Sequence, residues 1–200
     1  MYAPRAKFER IYIVSPIKVA IVFLMILHCL FLLIALLTSF WIQTKYGHYG
    51  PLFSCENHLN WKQSFISSIT VKCLFGRSYY RANLLWMPIT AIVIILSFIF
   101  TLIAILFSTI SFIKKSFTLR RFYWLCTILL LLIVFLLDSF VIIFIPLSHH
   151  QQIYSLQWAY GIHCGATLFI SVSLITAILT YNTDDIQYIE AIDESSIDKN

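Results

Sequence analysis

Charge and glycine are scarce in this chain of 200 residues. Charged side chains make up 12% of it and glycines number five, where soluble domains carry about a quarter charged residues. So little charge excludes an ordinary water-soluble domain. So little glycine leaves scant room for tight active-site turns, and no phosphate-cradling glycine loop, His-Glu-x-x-His helix or Gly-x-Ser-x-Gly elbow is present. An enzyme, a cofactor, a bound metal and a nucleic-acid partner are therefore not expected.

What is there instead is hydrocarbon. Apolar residues reach 60% and the mean hydropathy is +0.85. Four apolar runs, at 19–42, 84–113, 122–147 and 154–181, each exceed the ~20 residues that cross a bilayer core as a helix. Only a helix keeps its backbone bonded in lipid over such a length. The first run is too long for a secretory signal core, and Ser15-Pro16 before it reads as a helix entry, Ser15 capping and Pro16 at the first helical position. The expected fold class is an all-α membrane protein: one four-span bundle over 1–200, with surrounding lipid as its first partner.

Lys and Arg near span ends set the orientation. Arg5, Lys7, Arg10 and Lys18 precede the first span, and Lys114, Lys115, Arg120 and Arg121 fill the 114–121 link. These place residues 1–18, the link and the acidic tail 182–200 in the cytoplasm at the plasma membrane, and loops 43–83 and 148–153 outside. The tail, with six acids against Lys199, reads as disordered in isolation and as a surface for a cytoplasmic partner. Neither outer loop carries an Asn-x-Ser/Thr sequon.

Of five cysteines, Cys29, Cys126 and Cys164 fall inside spans, whereas Cys55 and Cys73 share the first outer loop. A 55–73 disulfide is the expectation, since bridges persist outside the cell and a loop of this size gains ~3 kcal/mol from closure. The β-branched stretch 64–73 reads as a strand in a small antiparallel sheet stapled by that bridge. His149-His150 in the second outer loop reads as a solvated pair, because neighbouring side chains in extended backbone point apart.

Ionisable groups inside spans are functional candidates, being expensive to hold there. Counted at 1.5 Å per residue from the outer span ends, Asp138 and His163 lie at a similar depth of about 13 Å and are expected to pair. The pair reads either as structural glue or as a pH-sensitive latch or ion path. His28 counts as deeper and alone, packed against another helix. Gly161-x-x-x-Gly165 fits a close-approach motif, expected to pack within the bundle.

Trp41 past the first span, Gly50-Pro51-Leu52-Phe53-Ser54-Cys55, then Cys73, and Arg81 before the second span together resemble the claudin superfamily. That superfamily includes claudins, peripheral myelin and epithelial membrane proteins, calcium-channel gamma subunits and lipoma-HMGIC-fusion-partner-like proteins. Its mark is a Trp, then Gly-Leu-Trp-x-x-Cys, then a Cys and an Arg. Trp158, in Tyr154-Ser-Leu-Gln-Trp-Ala-Tyr160, is similar to the entry of the fourth span. The chain departs at Phe53 in place of the motif tryptophan, at the intruding Pro51, in its wider cysteine spacing and in its short second outer loop. The resemblance implies a left-handed four-helix bundle bearing an extracellular β-sheet, and a protein that works by contact. Two functions follow as expectations: adhesion or junction organisation, through copies of itself or a neighbouring cell's protein, and an auxiliary subunit packed beside an ion channel or receptor. A small pore or transporter built around Asp138 and His163 is a third.

Overall fold

A computed structural model describes residues 7–12, 15–44, 47–58, 70–75, 86–113, 116–148, 155–181 and 187–192. Four long helices dominate: α1 (Pro16–Leu37), α2 (Met87–Ile113), α3 (Phe117–Ser148) and α4 (Trp158–Leu179). All four are long and apolar enough to cross a membrane. They run up-down-up-down, with α1 beside α2 and α4, and α3 beside α2 and α4, so consecutive helices are neighbours, as the short links on either side of α3 require. Their outward faces expose Phe23, Leu30, Ile92, Leu106, Leu136, Ile143, Leu168 and Ile175. Such a girdle would be a liability in water and is the natural boundary with lipid tails, which identifies a multi-pass membrane protein.

Small and hydroxylated residues turn inward. On α2 the buried small and hydroxylated positions are Thr90, Ala91, Ser97, Thr101, Ala104, Ser108 and Ser111, with Met87 and Ile94 beside them, a helical stripe that lets α3 approach closely. Thr101, Thr127, Thr167 and Ser173 satisfy their hydroxyls on the carbonyl four residues back, so they line the core without demanding external partners.

One end of the bundle carries a five-stranded antiparallel sheet. Strands β2 (Ile42–Thr44), β3 (Gly47–Tyr49), β4 (Phe53–His58) and β5 (Thr70–Phe75) come from the first long loop, and β6 (Ser155–Leu156) from the loop before α4. The order is β5-β4-β3-β2-β6, so β6 sews the second loop onto the first. At the other end β1 (Lys7–Tyr12) pairs antiparallel with β7 (Gln187–Ile192), and this two-stranded ribbon therefore lies opposite the five-stranded sheet. The acidic tail was expected to lack structure, but its segment Gln187–Ile192 is rich in apolar and β-compatible residues and finds a partner strand in the N-terminal segment.

Several boundaries differ from the sequence expectation. The first helix ends at Leu37 rather than 42, because Thr38 turns to extended backbone and residues 42–44 pair as β2. The fourth begins at Trp158 rather than 154, because Ser155–Leu156 pairs with β2. Pro16 does occupy the start of α1, but Ser15 makes no side-chain cap; its carbonyl instead accepts from Lys18 and Val19. The strand expected at 64–73 is described over Thr70–Phe75.

Candidate functional site: the sheet mount and the polar core

Trp41 sits where sheet and bundle meet, fully buried. Its indole N–H donates to the Ala35 carbonyl in the last turn of α1, one of the acceptors a helix end leaves without an internal partner. Its ring packs edge-on to Tyr160 at 6.1 Å and against His163 at 5.4 Å. Its backbone N–H donates to the Tyr49 carbonyl, and its own carbonyl accepts from Gln157 N–H at 2.9 Å. Ala159 N–H reaches the Phe40 carbonyl. The first amides of α4 thus end on the segment leaving α1, so one tryptophan holds a helix exit, a helix entry and the sheet.

The Gly50-Pro51-Leu52-Phe53 step has a steric reason. A Cβ at Gly50 would lie 2.1 Å from the Thr38 carbonyl oxygen and 2.8 Å from Ser39 Cα, so no side chain fits where β3 crosses the exit of α1. Gly50 N–H donates to the Phe53 carbonyl, closing the turn into β4, and Leu52 packs against the buried cluster containing Trp41, Tyr49 and Ile42. Phe53 heads β4 and is half-buried. Trp158 is half-exposed and stacks on Phe40 at 5.7 Å, an amphipathic ring at the level expected of a membrane interface. Cys55 and Cys73 stand directly opposite one another in β4 and β5, and Ser39 Oγ lies 3.3 Å from Cys55 Sγ. Cys29, Cys126 and Cys164 are free thiols. Arg81 and His149-His150 lie outside the described residues.

The polar core corrects the expected partner of Asp138. Its carboxylate bonds to His28, with Oδ2 2.8 Å from Nε2, and accepts from Ser97 Oγ at 2.7 Å, and all three groups are fully buried. His163 is not bonded to it. The reason is the helix boundaries: nine residues from the true end of α1 place His28 about 14 Å in, ten from the end of α3 place Asp138 about 15 Å in, and five from the start of α4 leave His163 about 8 Å in. His28, read as deep and alone, is the group level with the carboxylate.

Proton bookkeeping follows from the network. Thr101 has one hydroxyl proton, donated to the Ser97 carbonyl at 2.8 Å, so its oxygen accepts from His28 Nδ1 at 3.3 Å. With Nδ1 protonated, one further proton between Nε2 and Oδ2 makes the pair neutral overall. His163 contrasts with this satisfied arrangement. It is fully buried, beside the Asp138 backbone and within electrostatic reach of Asp138 and His28, yet neither ring nitrogen makes a well-formed hydrogen bond among the described residues. Each orphaned polar group of this kind costs about 1–3 kcal/mol.

The glycine motif on α4 also differs from expectation. A Cβ at Gly161 or Gly165 would meet nothing within 4 Å among the described residues, so this face is open there rather than packed inside the bundle. Among the described residues no group of three or more His, Cys, Asp and Glu is placed to hold a metal ion.

No protein-family model matches the chain, and a comparison with curated proteins returns no match.

Proposed function

We propose that this is a claudin-like, non-enzymatic plasma-membrane protein that works by contact, presenting its five-stranded sheet outside the cell in adhesion or junction organisation. The observation that carries this reading is the mount: strands from two separate loops form one sheet, and Trp41 joins it to the ends of two helices. A surface held this firmly suits docking. In this reading both termini are cytoplasmic and Cys55 and Cys73 form a disulfide; directly opposed residues of an antiparallel pair have Cα atoms about 4.5–5.5 Å apart, within the span of a bridge. The basic side chains of the first loop (Lys45, Lys62, Lys72, Arg77, Arg81) against Glu56 would repel cations and favour anions along any path the sheet lines. Expression in adhesion-free cells tests the proposal: enrichment at cell contacts and a changed transepithelial resistance are expected, and the absence of both would reject it.

The second reading, an auxiliary subunit beside an ion channel or receptor, draws on the open face at Gly161 and Gly165, which leaves room for a neighbouring helix in the membrane. Mild-detergent pull-down from native membrane with mass spectrometry separates the two. Recovery of a channel or receptor favours the auxiliary role, and its absence alongside contact enrichment favours adhesion.

A further inference from the structure

A buried histidine with both nitrogens unsatisfied contributes nothing that a phenyl ring would not supply better, since a phenyl fills the same space without orphaned polar atoms. His163 comes close to this, neither ring nitrogen making a well-formed hydrogen bond among the described residues, and its ring lies against Trp41, the residue on which the sheet is mounted. We propose that His163 is a proton-operated trigger: a proton taken up by its ring from the sheet end loosens the sheet from the bundle.

Among the described residues no counter-ion is bonded to the ring, which lies beside the Asp138 backbone. The groups around it define what a proton would do. From α1 comes His28, from α3 Asp138, beside which the Cys29 thiol of α1 lies, and from α4 itself Tyr160, whose hydroxyl donates to the Ile142 carbonyl, and Cys164. Helix α2 offers only hydroxyls, since Met87–Ile113 contains no titratable side chain. Asp138 is the sole acid in the four helices and already serves His28 and Ser97. A cation on His163 therefore has two ways to be stabilised: drawing this carboxylate away from His28, or moving the start of α4 toward water. Both displace the ring from Trp41, and the bonds from Trp41 to Tyr49 and from Gln157 to Trp41 follow. The inference concerns the mount itself; its use as regulation rests on the reading of the sheet as the contact surface.

Hydrogen exchange on the full chain in phosphatidylcholine nanodiscs, corrected for intrinsic rates, tests it without any adhesion assay. Between pH 7.5 and 4.5 the Trp41 and Gln157 amides should lose protection at least tenfold in the unmodified protein. In His163→Phe they should change less than twofold, with a raised melting temperature at pH 7.5. Asp138→Asn keeps hydrogen-bonding groups toward Ser97 and His28 but removes the counter-charge, so the acid response should begin at least one pH unit lower. Nitrogen-15 imidazole spectra provide the direct readout: both His163 nitrogens should become protonated over the same range. A neutral His163 ring at pH 4.5, an acid response that survives His163→Phe, or an unshifted onset in Asp138→Asn would each overturn the proposal.

Discussion

At the sheet end the indole of Trp41 donates to Ala35, in the last turn of α1; at the terminal end the indole of Trp124 donates to Ala177, in the last turn of α4. Neither helix has a basic residue in its last turn, where Lys or Arg would normally complement the exposed carbonyls. An indole N–H does that work inside an apolar shell. The difference lies in what else each tryptophan holds. Trp124 ties helix to helix and lies under the Lys18 ammonium at 5.4 Å, while Trp41 belongs to the chain entering the sheet and binds three elements. Two buried clusters follow the same division: one around Trp41, Tyr49 and Met87, the other around Met25, Trp124 and Leu131.

Removing the two rings in turn should break this symmetry. Trp41→Ala should lower stability by about 3–5 kcal/mol and also abolish exchange protection at Gln157. Trp124→Ala should cost a comparable amount in thermal unfolding while leaving that protection intact. Equal loss of protection in both would show that the sheet is held by the bundle as a whole. Gly50→Ala comes next, at about 1–3 kcal/mol, because the added methyl must push β3 off the Thr38 carbonyl; its mark would be a destabilised sheet in exchange data with the helices unaffected. Smallest is Lys18→Gln, which removes the cation over Trp124 for about 0.5–1 kcal/mol and should leave the sheet end untouched in the same measurement.

The sequence made the four spans legible because length and hydropathy alone fix them, and Pro16 marked the first entry. It could not end them correctly at the sheet side, since residues 38–42 and 154–157 mix large apolar or aromatic side chains (Phe40, Trp41, Ile42, Tyr154, Leu156) with small or uncharged polar ones and carry no charge; only pairing among β2, β3 and β6 draws the line. That misplacement carried through to the polar core. A few residues of overrun put His28 too deep and His163 too deep by similar amounts, and the carboxylate was assigned to the wrong histidine. Counting depth also ignores which way a side chain faces around its helix, so it does not bring out Ser97 and Thr101 as partners. A signal was available: Ser97, Thr101, Ala104 and Ser108 recur at helical spacing, which marks the face turned to the core. The importance of Gly50 was legible as a motif, but its cause, the backbone of Thr38 and Ser39 crossing above it, was not.

The pairing of β2 with β6 has a mechanical consequence. A pull applied to the sheet by anything bound to it does not load one loop and leave the other slack. It travels through β2 and Trp41 into the last turn of α1, and through β6 and Gln157 into the first turn of α4. Tension on the surface is thereby shared between two helices that lie side by side, and the bundle answers as a single anchor.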